Sequence, residues 1–209
     1  MLLSEVYDQF NLKCTTATSL IGISNVFFDN QVNYANEFYS SDIHACVING
    51  AFLMMFMAFE EFLEKSFICY MLGQSGVNNK TFLSFVNPKS DEHAYKILRG
   101  LSSYPDFTNR ETILKLANNF FENGGTYIVL DTFGKTFDEI KKIRNAITHI
   151  SLESAKNFFD MVRLKIGALP TGYDTVIFLN SVETDTNFSY FIYYRDHMKY
   201  VVDAIANPT

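Results

Sequence analysis

Residues 43–65 read IHACVINGAFLMMFMAFEEFLEK, and this stretch decides the fold. Its first 17 residues, Ile43 to Phe59, contain no Lys, Arg, Asp or Glu, a length at the short limit for crossing a bilayer. The stretch contains His44 and Asn49, however, and it continues directly into the charged residues Glu60, Glu61, Glu64 and Lys65. We therefore predict the long central helix of a helical bundle, with no membrane partner. The alternative is a membrane-associated protein that uses Ile43–Phe59, and clean expression without detergent would exclude it.

The composition is that of a folded chain of about one domain. The 209 residues are 48% hydrophobic and 19% charged, with only four Pro, which excludes a disordered or collagen-like protein. Cys14, Cys46 and Cys69 are widely spaced, and no C-x-x-C pair occurs. This pattern favours reduced thiols in a cytoplasmic protein rather than a zinc or redox motif. The N-terminus lacks a basic region before its first apolar residues, so we do not expect a signal peptide.

Capping residues and glycines predict where the helices begin and end. Gly73 is placed to end the long apolar helix, and the patterns T-x-x-E at Thr108 and Thr136 resemble capping boxes. The predicted helices are one that begins at Ser4, then Ser19–Tyr39, Ser41 or Asp42 to Leu72, Asp91–Leu101, Thr108–Asn123, one that begins at Thr136, Ser151 or Ser154 to Gly167, and Asp196–Ala206.

The chain beyond Pro170 has a different texture. Thr175–Ser181 and Phe188–Tyr194 are rich in β-branched and aromatic residues, and they flank the polar residues 182–187. This pattern predicts a β-hairpin. The overall prediction is an all-α fold with a small C-terminal β-hairpin. The aromatic strands also leave open a binder of small ligands, although a strand that is apolar on both faces is typically buried.

The residues that can carry chemistry are concentrated in residues 141–149, KKIRNAITH. On a helix, an apolar stripe faces a core and Arg144 lies at its border. The members of the stripe are Ile140, Ile143, Ile147 and Ile150, and the polar arc carries Lys141, Asn145, Thr148 and His149. Arg144 and His149 are about 140° apart on an ideal helix. A helix end near His149, or a second copy of the arc, is needed to bring them together.

The pattern Arg144-Asn145-x-x-x-His149 resembles the R-x(4–6)-H motif of HEPN domains in its R-N form. Upstream, residues 58–63 (AFEEFL) are similar to the aromatic–Glu–x–aromatic centre of the first core helix in RiboL-PSP-type and related HEPN families. Residues 116–120 (LANNF) also look like those families. One departure is Ile150, since the family often has Gly after the motif His. The resemblance covers residues 41–167.

We predict a single HEPN-like domain over residues 1–209, with its core at residues 41–167, an N-terminal helical extension over 1–40 and the hairpin and last helix over 170–209. The resemblance does not explain the first 40 residues or the hairpin; it implies an up-and-down helical bundle. It further implies a homodimer in which the Arg and His of both protomers line one cleft. Many such proteins are endoribonucleases that need no metal or other cofactor, often toxins or phage-defence effectors, with an antitoxin or a nucleotidyltransferase as partner.

The resemblance makes Arg144 and His149 the candidate catalytic residues. In RNA cleavage by 2′-OH attack, an imidazole, with an ordinary pKa of about 6.5, serves as base or acid at neutral pH. Arg144 would stabilise charge on the phosphorane-like transition state. The expected product ends are a 2′,3′-cyclic phosphate and a 5′-hydroxyl. Candidates for binding or orienting the substrate are Asn145, Thr148, Lys141 and Glu60.

Two structural interpretations remain beside the catalytic one. Arg144 can form a salt bridge at the helix border with Glu60 or Glu61, and His149 is favoured at a helix C-terminus by the dipole. A non-catalytic dimeric HEPN interaction module is therefore the main alternative function. The net charge of −6 taken alone argues against nucleic acid. The segment Lys141–Arg144, however, carries three positive charges in four residues, and local potential is what steers a phosphate.

Overall fold

A computed structural model gives the fold of residues 1–30, 40–100 and 105–209, and the backbone of two short strands between the first two ranges. About 72% of the chain is helical, which confirms the all-α prediction. The α-helices are α1 Leu3–Asp29, α2 Ser41–Met71, α3 Asp91–Arg99, α4 Arg110–Phe120, α5 Val129–Thr132, α6 Gly134–Thr148, α7 Leu152–Ile166, α8 Thr175–Asn180 and α9 Tyr190–Ala206. A 3₁₀ segment, Glu122–Ile128, lies between α4 and α5, and the strands β1 Asn33–Tyr34 and β2 Glu37–Phe38 pair antiparallel.

The chain forms two compact units. The first consists of Met1–Asn11, Ala58–Phe137 and His197–Thr209, and the second of Leu12–Met57 and Asp138–Asp196. Helices α1, α2, α6 and α9 each contribute residues to both units.

The N-terminal segment is one helix where the sequence predicted two. Helix α1 continues through Ser19 to Asp29, so the predicted start at Ser19 is wrong. The predicted end at Tyr39 lies outside the described residues. The physical reason for the continuity is an unbroken run of buried residues at helical spacing, which no single serine interrupts. These residues are Leu3, Val6, Phe10, Cys14, Ala17, Ile21 and Ser24.

The long apolar helix begins at Ser41, as predicted, and ends at Met71, one residue before the predicted end at Leu72. It ends in a Schellman motif, because the amide of Gln74 donates to the carbonyl of Cys69 at 3.1 Å and that of Gly73 to Tyr70 at 3.0 Å. Gly73 has φ +75°, a left-handed conformation that favours glycine. The glycine signal in the sequence therefore located the helix end correctly.

Helix α2 is also long and apolar enough to cross a membrane by length and composition, the one such helix among the described residues. In its most apolar 18-residue window, 44% is buried inside the protein. The buried side chains include Ile48, Phe52, Met55, Phe56 and Phe59. The core helix of a soluble protein passes the same test, and this finding agrees with a soluble protein.

Two of the predicted helix starts are shifted. Asn109, not Thr108, caps α4 by accepting from the amide of Thr112 at 3.2 Å, because the Thr108 hydroxyl is engaged by Asp106 at 2.6 Å. Helix α6 begins at Gly134 rather than Thr136, since the amide of Phe137 already donates to the carbonyl of Phe133 at 2.9 Å. The cap at Ser151 is confirmed, and helix α7 ends before Gly167 as predicted.

Two more helix ends differ in detail from the sequence prediction. Helix α4 ends at Phe120 rather than Asn123, because Phe121 is extended with φ −130° and ψ 146°. Helix α3 begins at Asp91 as predicted and ends at Arg99, while the predicted end at Leu101 lies outside the described residues.

The predicted C-terminal β-hairpin is wrong. Thr175–Asn180 is helix α8, capped by Asp174, whose side chain accepts from the amide of Ile177 at 2.8 Å. Helix α9 begins at Tyr190, so it includes most of the second predicted strand, and a single bridge between Val182 and Ser189 is all the strand pairing in this segment. Burial overrides the local preference of aromatic and β-branched residues for strands. The buried residues of α9 repeat at helical spacing: Tyr190, Phe191, Tyr194, Met198, Val201, Val202 and Ile205.

The core of the first unit is a cluster of aromatic rings around Phe67. Its ring centroid lies 4.8 Å from that of Phe121, 5.1 Å from Tyr127, 5.7 Å from Phe107 and 6.0 Å from Phe120. All five rings are buried. Phe67 thereby ties α2 to α4 and to the 3₁₀ segment.

The second unit contains a buried histidine at the contact of three helices. His44 of α2 is 6% exposed; its Nδ1 lies 2.8 Å from Oγ of Ser24 on α1, and its Nε2 lies 3.4 Å from Nδ2 of Asn180 on α8. The ring also stacks on Phe28 at 4.3 Å. Burial lowers the pKa of His44, although a hydrogen bond to the backbone of Ser24 and the charge of Asp29 oppose this shift.

We expect His44 to make the fold less stable in acid. Because its pKa is lower in the folded than in the unfolded chain, the unfolded chain binds more protons, and the free energy of unfolding falls as pH drops below about 6.5. Urea unfolding between pH 7.5 and 5 measures this slope. His44→Asn should flatten it, whereas His93→Asn, at an exposed position, should leave it as in wild type. Equal slopes for wild type and His44→Asn would contradict the prediction.

Candidate functional site

Helix α7 and the part of α6 from Asp138 onward lie in the second unit, where they form an antiparallel helical hairpin. Near the start of α6, the buried carboxylate Oε2 of Glu139 lies 2.9 Å from Nζ of Lys165, near the end of α7. Tyr194 donates its hydroxyl to the same oxygen at 3.1 Å. The ends of the hairpin are thereby held together, and its tip is residues 149–152, the short connection with the first residue of α7.

The tip brings Arg144 and His149 together within one chain. Nη1 of Arg144 lies 3.2 Å from Nε2 of His149 and 3.0 Å from Oδ1 of Asn145. The guanidinium carbon lies 5.7 Å from the ring centroid of the buried Phe56, at cation–π distance. Arg144 is half-buried, whereas His149 is exposed. The arrangement therefore fixes the arginine and leaves the imidazole open to solvent.

The helix end explains why the two side chains meet. Helix α6 ends at Thr148, and the amide of His149 makes the last helical bond, to the carbonyl of Asn145 at 2.9 Å. The carbonyl of His149 accepts from Ser151, the residue that caps α7. His149 thus lies where the backbone turns from one helix to the next. The angle of about 140° that would separate its side chain from Arg144 on an ideal helix therefore does not apply.

The contact also defines the roles of the two side chains. A guanidinium has only donors, so Nη1 of Arg144 donates and Nε2 of His149 accepts in this hydrogen bond. Such a pair supplies both an acceptor for a proton and a planar cation for an oxyanion.

Of the four other predicted site residues, Asn145 is shown in contact with the side chain of Arg144. Asn145 joins the Arg144–His149 pair, whereas the Thr148 hydroxyl donates to the carbonyl of Arg144 at 3.0 Å, a bond to its own helix. Lys141 is half-exposed on α6 and has an interaction partner of its own. Glu60 lies on α2 in the first unit and also has a partner.

Three side chains that support the site carry no signal in the sequence. Phe56 was one apolar residue among many in α2, and nothing marked Glu139 and Lys165 as an ion pair across 26 residues. Both contacts depend on how helices pack. A local sequence pattern contains no information on such packing.

Two further observations bear on the chemistry. In the part of the chain that the structure describes, no group of three or more His, Cys, Asp and Glu side chains is placed to hold a metal ion. No family model, curated protein or solved structure matches the chain.

Proposed function

We propose that the chain is an endoribonuclease of HEPN type that cleaves RNA without a metal ion. The observation that carries the proposal is the 3.2 Å contact between Nη1 of Arg144 and Nε2 of His149 at an exposed helix end. It joins the two residue types that cleavage by 2′-OH attack needs, a proton acceptor and a cation for the transition state.

In the proposed reaction, the 2′-oxygen of a ribose attacks the adjacent phosphorus. Nε2 of His149 takes the proton of the 2′-hydroxyl, the P–O5′ bond breaks, and the leaving 5′-oxygen takes a proton from a general acid. The products are a 2′,3′-cyclic phosphate and a 5′-hydroxyl. In a homodimer, the second protomer's copy of the same histidine supplies that acid, so that one imidazole acts as base and the other as acid.

Arg144 acts on the phosphate. Its guanidinium binds a non-bridging oxygen and stabilises the charge that grows there during attack. When Nη1 of Arg144 donates to the phosphate instead of to His149, the Nε2 lone pair is released, so substrate binding activates the base. Asn145, already 3.0 Å from Nη1, orients the guanidinium. Thr148, Lys141 and Glu60 remain candidates for binding or orienting the substrate.

The same proposal places the protein in the cytoplasm as a homodimer with a shared cleft. A toxin or phage-defence effector is the biological role that fits a ribonuclease of this type. An antitoxin or a nucleotidyltransferase is then the expected protein partner. The up-and-down HEPN bundle belongs to this proposal as well.

A second candidate is a non-catalytic dimeric HEPN module for interaction or regulation. The observation that favours it is that Nη1 of Arg144 already hydrogen-bonds both Asn145 and His149. A purely structural cap at the end of α6 would use the same bonds. The two candidates differ in whether replacement of Arg144 reduces the degradation of RNA.

Expression in bacteria separates the two candidates. We expect the wild-type chain to slow growth and degrade cellular RNA, and Arg144→Ala to restore growth because the transition-state cation is gone. Growth curves and total RNA on gels measure both effects. Arg163→Ala is the matched control: it lies on the same hairpin, is exposed and pairs with Asp160 at 3.2 Å. Equal toxicity of wild type and Arg144→Ala, at equal soluble protein, would contradict the ribonuclease.

A further inference from the structure

The tip of the α6–α7 hairpin carries two large aliphatic side chains in full contact with water. Ile150 is 110% exposed and Leu152 is 93% exposed, and both lie within three residues of His149. Side chains in this position contribute nothing to the core, because apolar surface stabilises a fold only when it leaves water. Exposed apolar residues that adjoin one another mark an interaction surface.

The charge of the same hairpin is opposite to that of the chain. Residues 134–166, the two helices with their connection, contain seven basic and four acidic residues, whereas the whole chain has a net charge of −6. Lys142 and Lys156 are exposed and have no ion-pair partner among the described residues. Two of the four acids, Glu139 and Asp160, are engaged by Lys165 and Arg163. The hairpin therefore offers free positive charge on both helices beside an apolar tip.

A partner that matches both features has phosphates and an exposed apolar face. A single-stranded nucleic acid has both, since the faces of its unpaired bases are accessible. In a duplex the bases are stacked inside the helix, and an aliphatic tip meets only the backbone. The position of Ile150 and Leu152 next to His149 places the contacted base beside the reacting ribose.

We infer that Ile150 and Leu152 bind an unpaired base of single-stranded RNA, while Lys142 and Lys156 bind its phosphates. This inference rests on the proposed ribonuclease function and names its substrate class. The tip thereby selects single-stranded over double-stranded RNA and determines which base lies next to the cleaved bond.

Binding of a non-cleavable RNA tests the inference. A fluorescent 2′-O-methyl RNA of 12 nucleotides, which lacks the attacking hydroxyl, is titrated with the protein as a single strand and as a duplex, and binding is followed by fluorescence anisotropy. The double variant Ile150→Ser/Leu152→Ser should bind the single strand about tenfold more weakly, the loss expected when an apolar contact of this size is removed. Leu164→Ser, 89% exposed near the other end of α7, should bind as wild type does. Lys142→Ala/Lys156→Ala should weaken both forms and reduce the salt dependence.

Each remaining outcome decides against the inference. Unchanged single-strand affinity in the double serine variant overturns it, as does equal affinity of wild type for single strand and duplex. If the double variant changes the native mass in light scattering, the tip joins two copies of the chain instead.

Cleavage of unmodified RNA keeps the inference and the proposed function distinguishable. Tip-dependent single-strand binding by a protein that does not cleave supports the inference and contradicts the nuclease. Cleavage that requires His149 but does not change in the double serine variant supports the nuclease and contradicts the inference.

Discussion

Replacement of His149 by alanine is expected to slow RNA cleavage by about 10²- to 10⁴-fold, the usual contribution of one general acid–base group. The imidazole lies 3.2 Å from Nη1 of Arg144 through a nitrogen that is an acceptor, so its loss removes the base while Arg144 stays beside Asn145 and Phe56. Binding of the non-cleavable RNA should change little. The measurement is the rate of cleavage of a labelled RNA in EDTA, with analysis of the product ends.

Two controls make the His149 result specific. His93→Ala removes another exposed histidine, which lies on α3 in the first unit, and should cleave at the wild-type rate. The wild-type product should carry a 2′,3′-cyclic phosphate, whereas a 3′-hydroxyl end would indicate a different reaction. Wild-type cleavage by purified His149→Ala would refute the proposed role of this residue.

Replacement of Phe67 by alanine is expected to destabilise the fold by about 3–5 kcal/mol, because a fully buried ring is removed and the cavity closes only in part. Phe67 is 0% exposed and packs against the rings of Phe107, Phe120, Phe121 and Tyr127 in the first unit. Because the ring is enclosed by other rings on several sides, we expect the cost to lie in the upper part of this range. Urea denaturation followed by circular dichroism measures the free energy of unfolding.

The matched control for Phe67 is Phe85→Ala. Phe85 is 58% exposed, and its backbone bond to Phe120 does not involve the ring, so the cost should stay within about 0.5 kcal/mol. Similar destabilisation by the two substitutions would show that the cluster around Phe67 is not the centre of the first unit's core.

Features of the fold that depend on local chemistry were predictable. Gly73 located the end of α2 because a left-handed residue is needed there, and Ser151 located the start of α7 because its side chain accepts from the amide of Ser154 at 3.1 Å. Both signals act within a few residues. The same holds for the end of α6 near His149, one of the two arrangements that could join that residue with Arg144.

The failures share a different cause. Thr175–Ser181 and Phe188–Tyr194 have the composition of strands, yet Phe178 stacks on Tyr190 at 4.4 Å as part of a helical core. Strand propensity reflects the packing of a side chain on its neighbours, and the same aromatic and β-branched side chains pack equally well on a buried helix. Tyr190, Tyr194 and Met198 are four residues apart, and this spacing was the signal for a helix that the composition did not show.

An all-α chain, a central apolar helix that ends at Gly73, and the presence of Arg144 and His149 on either side of a helix end all follow from the amino-acid sequence. Three other features became visible only once the helices were packed. Phe56 lies against the guanidinium, Glu139 and Lys165 join the ends of the hairpin, and Ile150 and Leu152 are exposed at its tip. The division has a physical reason. Caps and periodicity are interactions within a few residues, whereas side-chain pairing and exposure depend on which distant segments the core brings together.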